Sequence, residues 1–320
     1  MCDTTICKLE PHIVYNTKAT RKKAVEKNTN NRLMEIEMKL DIPSNSMIIE
    51  PHIREAILDY YKRCGISFDF RAPYDTSCAL KGYLMSLRKT IIPRKRKVYI
   101  SRELLQKSSS ADYVVWKQRF DEMRKWFENG DDIRLYLSVH YKESTFQDRL
   151  LNCWKMHHIH FDPSKKFDDM LLFAMVYDDA AYFIDVLPHR KKAVFSTYNL
   201  LNIVYDNWKE LLAPFEVKGA TTVIAPILTD EDIEEARKAG LTTFIKVRDK
   251  VYLLDSQAAN CDSATDGMTT NRILNTIRKN QVEGRLNDCR FVKLHLTEKV
   301  HPCMIIEYLD QDNLLRQMIL

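Results

Sequence analysis

His157-His158-Ile159-His160-Phe161-Asp162, then Leu171-Leu172-Phe173-Ala174, then Ile184-Asp185-Val186-Leu187-Pro188-His189, set the centre of this chain. They lie within three apolar-rich runs, Lys155 to Phe161, Asp169 to Tyr177 and Ala181 to Leu187, separated by Asp162-Pro163-Ser164-Lys165-Lys166 and by Asp178-Asp179. Both separators have turn composition. Connections this short permit only antiparallel hairpins, so a three-stranded meander is expected. A strand repeats every two residues, which puts His158 and His160 on one face and His157 on the other. The first and third strands of a meander run parallel. Their late ends therefore share one end of the sheet, where His160 is expected to approach His189, with Asp162 and the basic Arg190-Lys191-Lys192 group alongside.

Helical periodicity flanks this sheet. Tyr113, Trp116, Phe120, Met123 and Phe127 form one stripe in a helical stretch over 101–130 that ends at Gly130, and helical periodicity alone accounts for the stripe as core. Phe146 to Trp154 reads as a further helical segment, and Val194 to Leu212 as a helix with Leu200, Leu201, Val204, Tyr205 and Trp208 on one side. Thr229 to Gly240 carries an N-capping Thr, acids in its first turn, bases in its last and a terminal Gly, so every end signal agrees on a helix. A hairpin at Thr243–Val247 and Lys250–Leu254, a helix over Thr270–Lys279 and a strand pair at Phe291–Leu296 and Met304–Tyr308 complete the C-terminal side. On the N-terminal side, strands are expected at Met34–Leu40, Ile66–Phe70 and Lys97–Ile100, with helices after Pro51 and over Thr76–Lys89.

The fold class that follows is α+β: a central antiparallel meander with flanking helices, plus smaller N- and C-terminal α+β units. The expected divisions are a basic polar arm (1–32), an N-terminal basic unit (33–110), a central unit with the histidine cluster (111–213) and a C-terminal unit (214–320).

The 320 residues carry 45% hydrophobic and 29% charged side chains, the balance of a globular protein. The seven glycines are too dispersed for GxGxxG or GxxxxGK[ST], which excludes the standard dinucleotide and P-loop phosphate sites. Eight cysteines without a CxxC exclude a zinc ribbon or disulfide framework. The first twenty residues lack an apolar signal region and no run approaches 18 apolar residues, so the reading is a cytoplasmic chain with reduced thiols and no membrane contact.

Residues 1–110 hold 21 Lys/Arg against 12 Asp/Glu, while residues 111–320 hold 28 against 32. The run Arg94-Lys95-Arg96-Lys97, with Lys165 and Lys166 near the cluster, is the candidate nucleic-acid contact, against the plainer reading of a solvated face.

Five of the nine histidines fall between His140 and His189. Three readings stay open. In acid/base cleavage of RNA, one His takes the 2′-hydroxyl proton, another protonates the leaving 5′-oxygen and Lys or Arg steadies the charge, a role that suits a side chain with both protonation states near neutral pH. The candidates are His158, His160, His189, Arg190 and Lys192, and no cofactor is called for. In a metal reading, His158, His160, Asp162 and Asp185 supply mixed ligands for zinc or manganese in a phosphodiesterase or nuclease. In the third, the histidines only donate hydrogen bonds within the sheet. Arg134 and His140 share the R-x5-H spacing of HEPN ribonucleases, but Leu135 stands where a polar residue is usual, so the spacing carries no assignment.

A strand with His158-Ile159-His160-Phe161, the run Leu171-Leu172-Phe173-Ala174, the strand Tyr182-Phe183-Ile184-Asp185-Val186 and the ending His189-Arg190-Lys191-Lys192 together resemble the core of RelE/HigB-type bacterial toxins. That pattern covers about 50 residues of the chain. The usual Arg of the middle strand is absent from Leu171 to Tyr177. The resemblance implies a toxin-like effector that cleaves RNA in a toxin–antitoxin or phage-defence setting, with an antitoxin or defence-complex partner. The competing class is a non-enzymatic subunit that binds nucleic acid or protein.

Overall fold

The computed structural model describes residues 50–68, 75–110, 114–164, 170–223, 229–241, 243–254 and 263–283, and the backbone of strands at 290–296, 304–309 and 315–319. The expected arm at 1–32, the strand Met34–Leu40, Tyr113, Lys165 and Lys166 lie outside these residues.

In chain order the elements are α1 (Glu50–Cys64), α2 (Thr76–Lys89), β1 (Lys97–Ile100), α3 (Arg102–Ser108), α4 (Val114–Asn129) and α5 (Arg149–Trp154). There follow β2 (His157–His160), β3 (Met170–Val176), β4 (Ala180–Pro188), α6 (Asn199–Trp208) and α7 (Asp230–Lys238). The chain continues through β5 (Ile245–Val247), β6 (Lys250–Tyr252), α8 (Ala264–Val282), β7 (Arg290–Leu296), β8 (Met304–Leu309) and β9 (Leu315–Ile319). The fold is α+β. The described residues group into two compact units, one made of those within 50–65, 75–81 and 269–319 and the other of 66–68 and those within 82–268. Among the described residues no helix is long and apolar enough to cross a membrane.

In the first unit, α1 buries Ile53, Ile57, Tyr60 and Tyr61, which the helical period puts on one face, and the guanidinium of Arg278 pairs with Glu50 at 2.6 Å. The antiparallel sheet β7-β8-β9 belongs to this unit, and its third strand carries no signal that the sequence reading used.

The second unit is built on a four-stranded sheet of order β1-β4-β3-β2. β2, β3 and β4 form the expected meander, with His160 opposite Leu171 and Leu171 opposite Leu187. β1 is its fourth strand, parallel to β4 with Lys97 opposite Ala180, rather than part of a separate N-terminal unit. A parallel partner requires a long crossover, and no short-range pattern announces a strand some eighty residues away. β3 is buried on both faces from Leu171 to Met175. One face packs with α6 and the β5–β6 hairpin through Leu200, Leu201, Val204 and Tyr252, and the other packs with α4 through Phe120, Met123 and Phe127. Phe120 and Phe127 meet Phe183 edge-on at 6.0 and 5.3 Å, so the aromatic stripe is core.

Three expectations are corrected in detail. The helical stretch over 101–130 divides into α3 and α4, because Ser108 and Ser109 turn their hydroxyls onto the Leu105 carbonyl and compete with continued helix. Of the expected strand Ile66–Phe70, the described residues 66–68 form a single bridge, between Ser67 and Glu143, and 69–70 lie outside the described residues. The helix after Val194 begins only at Asn199, behind a 3-10 turn at Val194–Ser196. Thr229 and Asp232 form the reciprocal capping box of α7, as its end signals require.

Two backbone positions orient the site. Lys155 ends α5 with φ 57°, a left-handed conformation that turns the chain directly into β2. Gly130 has φ 83°, and a Cβ there would lie 2.7 Å from the carbonyl carbon of Arg94, so only glycine lets α4 end against the strand-entry loop.

Candidate active site

The sheet delivers His158 and His160 from β2 on one face, and His189 from the turn that follows β4. β2 and β4 are separated by β3, a backbone spacing of about 9–10 Å. The side chains close that gap: the rings of His160 and His189 are 5.4 Å apart and nearly perpendicular, and those of His158 and His160 are 6.0 Å apart. Phe195 packs against both His158 and His189, at 4.8 and 6.0 Å.

All three histidines line one cavity of ≈ 370 Å³. Its remaining wall comes from the turn at Ser138–His140, the segment Phe146–Leu150, Phe195 and Ser196, and Glu234, Arg237 and Lys238 of α7. Asp148 is the N-cap of α5: its Oδ1 accepts the Leu151 N–H at 3.0 Å, and its Oδ2 stands 3.8 Å from His158 Nδ1. That nitrogen is buried without a hydrogen-bond partner. Burial pushes the His158 imidazole below the ordinary histidine value, opposed by the Asp148 charge and reinforced by His160 and His189.

Arg237 is the buried cation of the cavity. Its guanidinium lies 3.9 Å from the Trp154 ring centroid and donates to the Phe195 carbonyl at 2.6 Å and to Ser196 Oγ at 3.3 Å. Burial lowers its pKa to about 10, so it remains charged at neutral pH. Lys238, beside it, is paired with Glu234 at 3.2 Å.

On the opposite face of β2, burial lowers the pKa of His157 to about 4, with the charge of Asp148 acting against it. The nearby Lys89 is held by the carbonyls of Glu143 and Phe146, and its pKa is lowered by burial to about 8.

The structure thus brings together His158, His160 and His189 but not the other two candidates for catalysis. Arg190 is not part of the cavity wall, and Lys192 is 82% exposed and pairs with Glu231 at 3.2 Å, drawn to the acidic first turn of α7. The alternative metal set is not assembled. Asp162 accepts hydrogen bonds from the backbone N–H and hydroxyl of Ser164, and Asp185 is buried against Lys107 Nζ at 2.5 Å. Among the described residues no three His, Cys, Asp or Glu side chains are grouped to hold a metal ion.

The basic run is also divided. Arg96 is 8% exposed and its guanidinium donates to the carbonyls of Tyr177, Ile92 and Arg94. Arg94 pairs with Asp178 at 2.9 Å, which leaves Lys95 and Lys97 as the exposed members. Arg134 is held by Asp132 and lies outside the cavity wall, whereas His140 is part of it.

Asp148 and Arg237 are not among the residues that the sequence singles out. Asp148 carries a local signal, an Asp just ahead of a helical apolar run, where a cap is expected. Arg237 carries none beyond the basic last turn of α7. Comparison of the chain with family models, with curated proteins and with solved structures finds no match.

Proposed function

We propose that this chain is a metal-independent ribonuclease, a toxin-like effector whose catalytic groups are His158, His160 and His189. The observation that carries the reading is the meeting of His160 and His189, from elements separated by a whole strand, in a cavity that also holds a buried arginine. Packing alone calls for neither the three imidazoles nor the cation, and polar and charged groups cost free energy to bury that their hydrogen bonds only offset.

In this proposal, His158, kept neutral by burial, takes the proton of a ribose 2′-hydroxyl. The 2′-oxygen attacks the adjacent phosphorus and the bond to the 5′-oxygen breaks. His189 gives its proton to that departing oxygen, and His160, its ring 6.0 Å from that of His158 and 5.4 Å from that of His189, donates a hydrogen bond to a phosphoryl oxygen between them. The products are a 2′,3′-cyclic phosphate and a 5′-hydroxyl. Arg237 offsets the negative charge that builds on the phosphoryl oxygens. The resemblance to RelE/HigB-type toxins supports the same substrate, with an antitoxin-like partner as its corollary.

Induced expression tests the reading in cells. Wild type is expected to arrest growth, and His189→Ala, with a native circular dichroism spectrum, is expected to relieve the arrest. Equal growth arrest by both proteins, or none from wild type, counts against catalysis by this cluster and favours the non-enzymatic binding class.

A further inference from the structure

The cavity has more wall than a phosphate requires. On the 3-10 turn Val139–Lys142 the imidazole of His140 lies against the ring of Phe146, with centroids 4.2 Å apart and planes 14° from parallel. Its Nδ1 stands 2.7 Å from a carboxylate oxygen of Glu143, and the ammonium of Lys89 lies 5.9 Å from the Phe146 centroid. The His140 side chain nevertheless keeps 42% of its surface exposed. Phe146 and Glu143 therefore hold the ring in place, and His140 is part of the cavity wall. Such a ring is a stacking surface formed before any ligand arrives.

We propose that His140 stacks an unpaired nucleobase next to the scissile phosphate, so that the substrate is single-stranded RNA with one nucleotide splayed into the cavity. This rests on the ribonuclease reading of the three histidines and names its substrate class. The volume of ≈ 370 Å³ falls near the lower end of the roughly 300–1,000 Å³ typical of small-ligand sites, room for one nucleotide and not for a duplex. Single-stranded RNA is commonly held by stacking bases on aromatic or histidine rings, an interaction that tolerates any base. Val139, 60% exposed, extends the apolar surface beside His140, and Ser138 and Gln147 supply hydroxyl and amide groups to the same wall.

The test uses the full chain and a hexanucleotide with 2-aminopurine on both sides of its central phosphate. In one version all sugars are 2′-methoxy, so that it binds uncut; in the other the sugar 5′ of that phosphate keeps its 2′-hydroxyl and can be cleaved. Wild type is expected to bind the uncut oligomer with quenched 2-aminopurine fluorescence. His140→Ala is expected to bind about ten-fold or more weakly, without the quench, while His140→Phe retains both. On the cleavable version the His140→Ala loss falls on KM more than on kcat. The same oligomer annealed to its complement binds at least about ten-fold more weakly, because its bases are already stacked.

Equal binding and quenching by His140→Ala, or equal binding of the duplex, overturns the stacking proposal. Cleavage by wild type that is indifferent to His140→Ala overturns the stacking alone. Binding with a His140-dependent quench but no cleavage leaves the stacking and overturns the ribonuclease reading. Neither binding nor cleavage by wild type overturns both.

Discussion

Asp148 places its two carboxylate oxygens on different tasks: Oδ1 caps α5 through the Leu151 N–H at 3.0 Å, and Oδ2 faces Nδ1 of His158 at 3.8 Å. The helix cap thereby fixes the direction from which negative charge reaches the histidine proposed as base.

Asp148→Asn separates the two tasks. Asn caps a helix as well as Asp does, so stability should change little, whereas Asp148→Ala should lose about 1 kcal/mol. Removing the carboxylate takes away the influence that raises the His158 pKa, while burial, His160 and His189 still lower it. His158 then loses its proton at lower pH, and the acidic limb of the kcat/KM profile is expected to move to lower pH. The rate at neutral pH should fall by roughly 10- to 100-fold, part of the ~10²–10⁴ that a positioned base supplies. A pH profile identical to wild type would remove Asp148 from the site.

The divided basic run makes a second prediction. Arg96→Ala leaves three carbonyls without their cationic donor and should cost about 2–3 kcal/mol in urea unfolding. Lys95→Ala and Lys97→Ala should leave stability within about 0.5 kcal/mol. Each should also reduce the slope of log binding constant against log salt for single-stranded RNA by about 0.7 if it meets a phosphate. Unchanged slopes for both lysines would take this loop out of the interface.

Much of this architecture is legible in the residues. The Asp-rich and Lys-rich separators between apolar runs specify hairpins, so β2, β3 and β4 and the face shared by His158 and His160 follow from period two and turn chemistry. The capping box at Thr229 does the same for α7. What escapes is whatever depends on distant partners. β1 joins β4 in parallel across a long crossover, Arg237 reaches the cavity only through tertiary packing on Trp154, and Asp185 leaves the histidines because Lys107 of α3 claims its carboxylate. Arg190-Lys191-Lys192 show the same limit. Composition marks them as cationic, yet Lys191 and Lys192 are spent on Asp230 and Glu231 of α7.

Acid should destabilise the second unit through His157. Its folded pKa of about 4 lies below the ordinary histidine value of ~6.5, so the unfolded chain binds the extra proton between these limits. The contribution is complete above pH ~6.5 and is lost as pH falls toward 4, on the order of 2 kcal/mol. Urea unfolding at pH 7 and pH 4.5 should show that loss in wild type and a smaller one in His157→Gln. An equal loss in the two proteins would assign the acid sensitivity to other groups.

Cleavage of single-stranded RNA in EDTA, followed from pH 5 to 9 with wild type, His160→Ala and His189→Ala, tests the central claim most directly. The account predicts a bell-shaped wild-type profile, a 2′,3′-cyclic phosphate product, no reaction at a 2′-deoxy position and losses of about 10²–10⁴ in both variants. Cleavage of DNA, activity abolished by the chelator, or variants as active as wild type would contradict it.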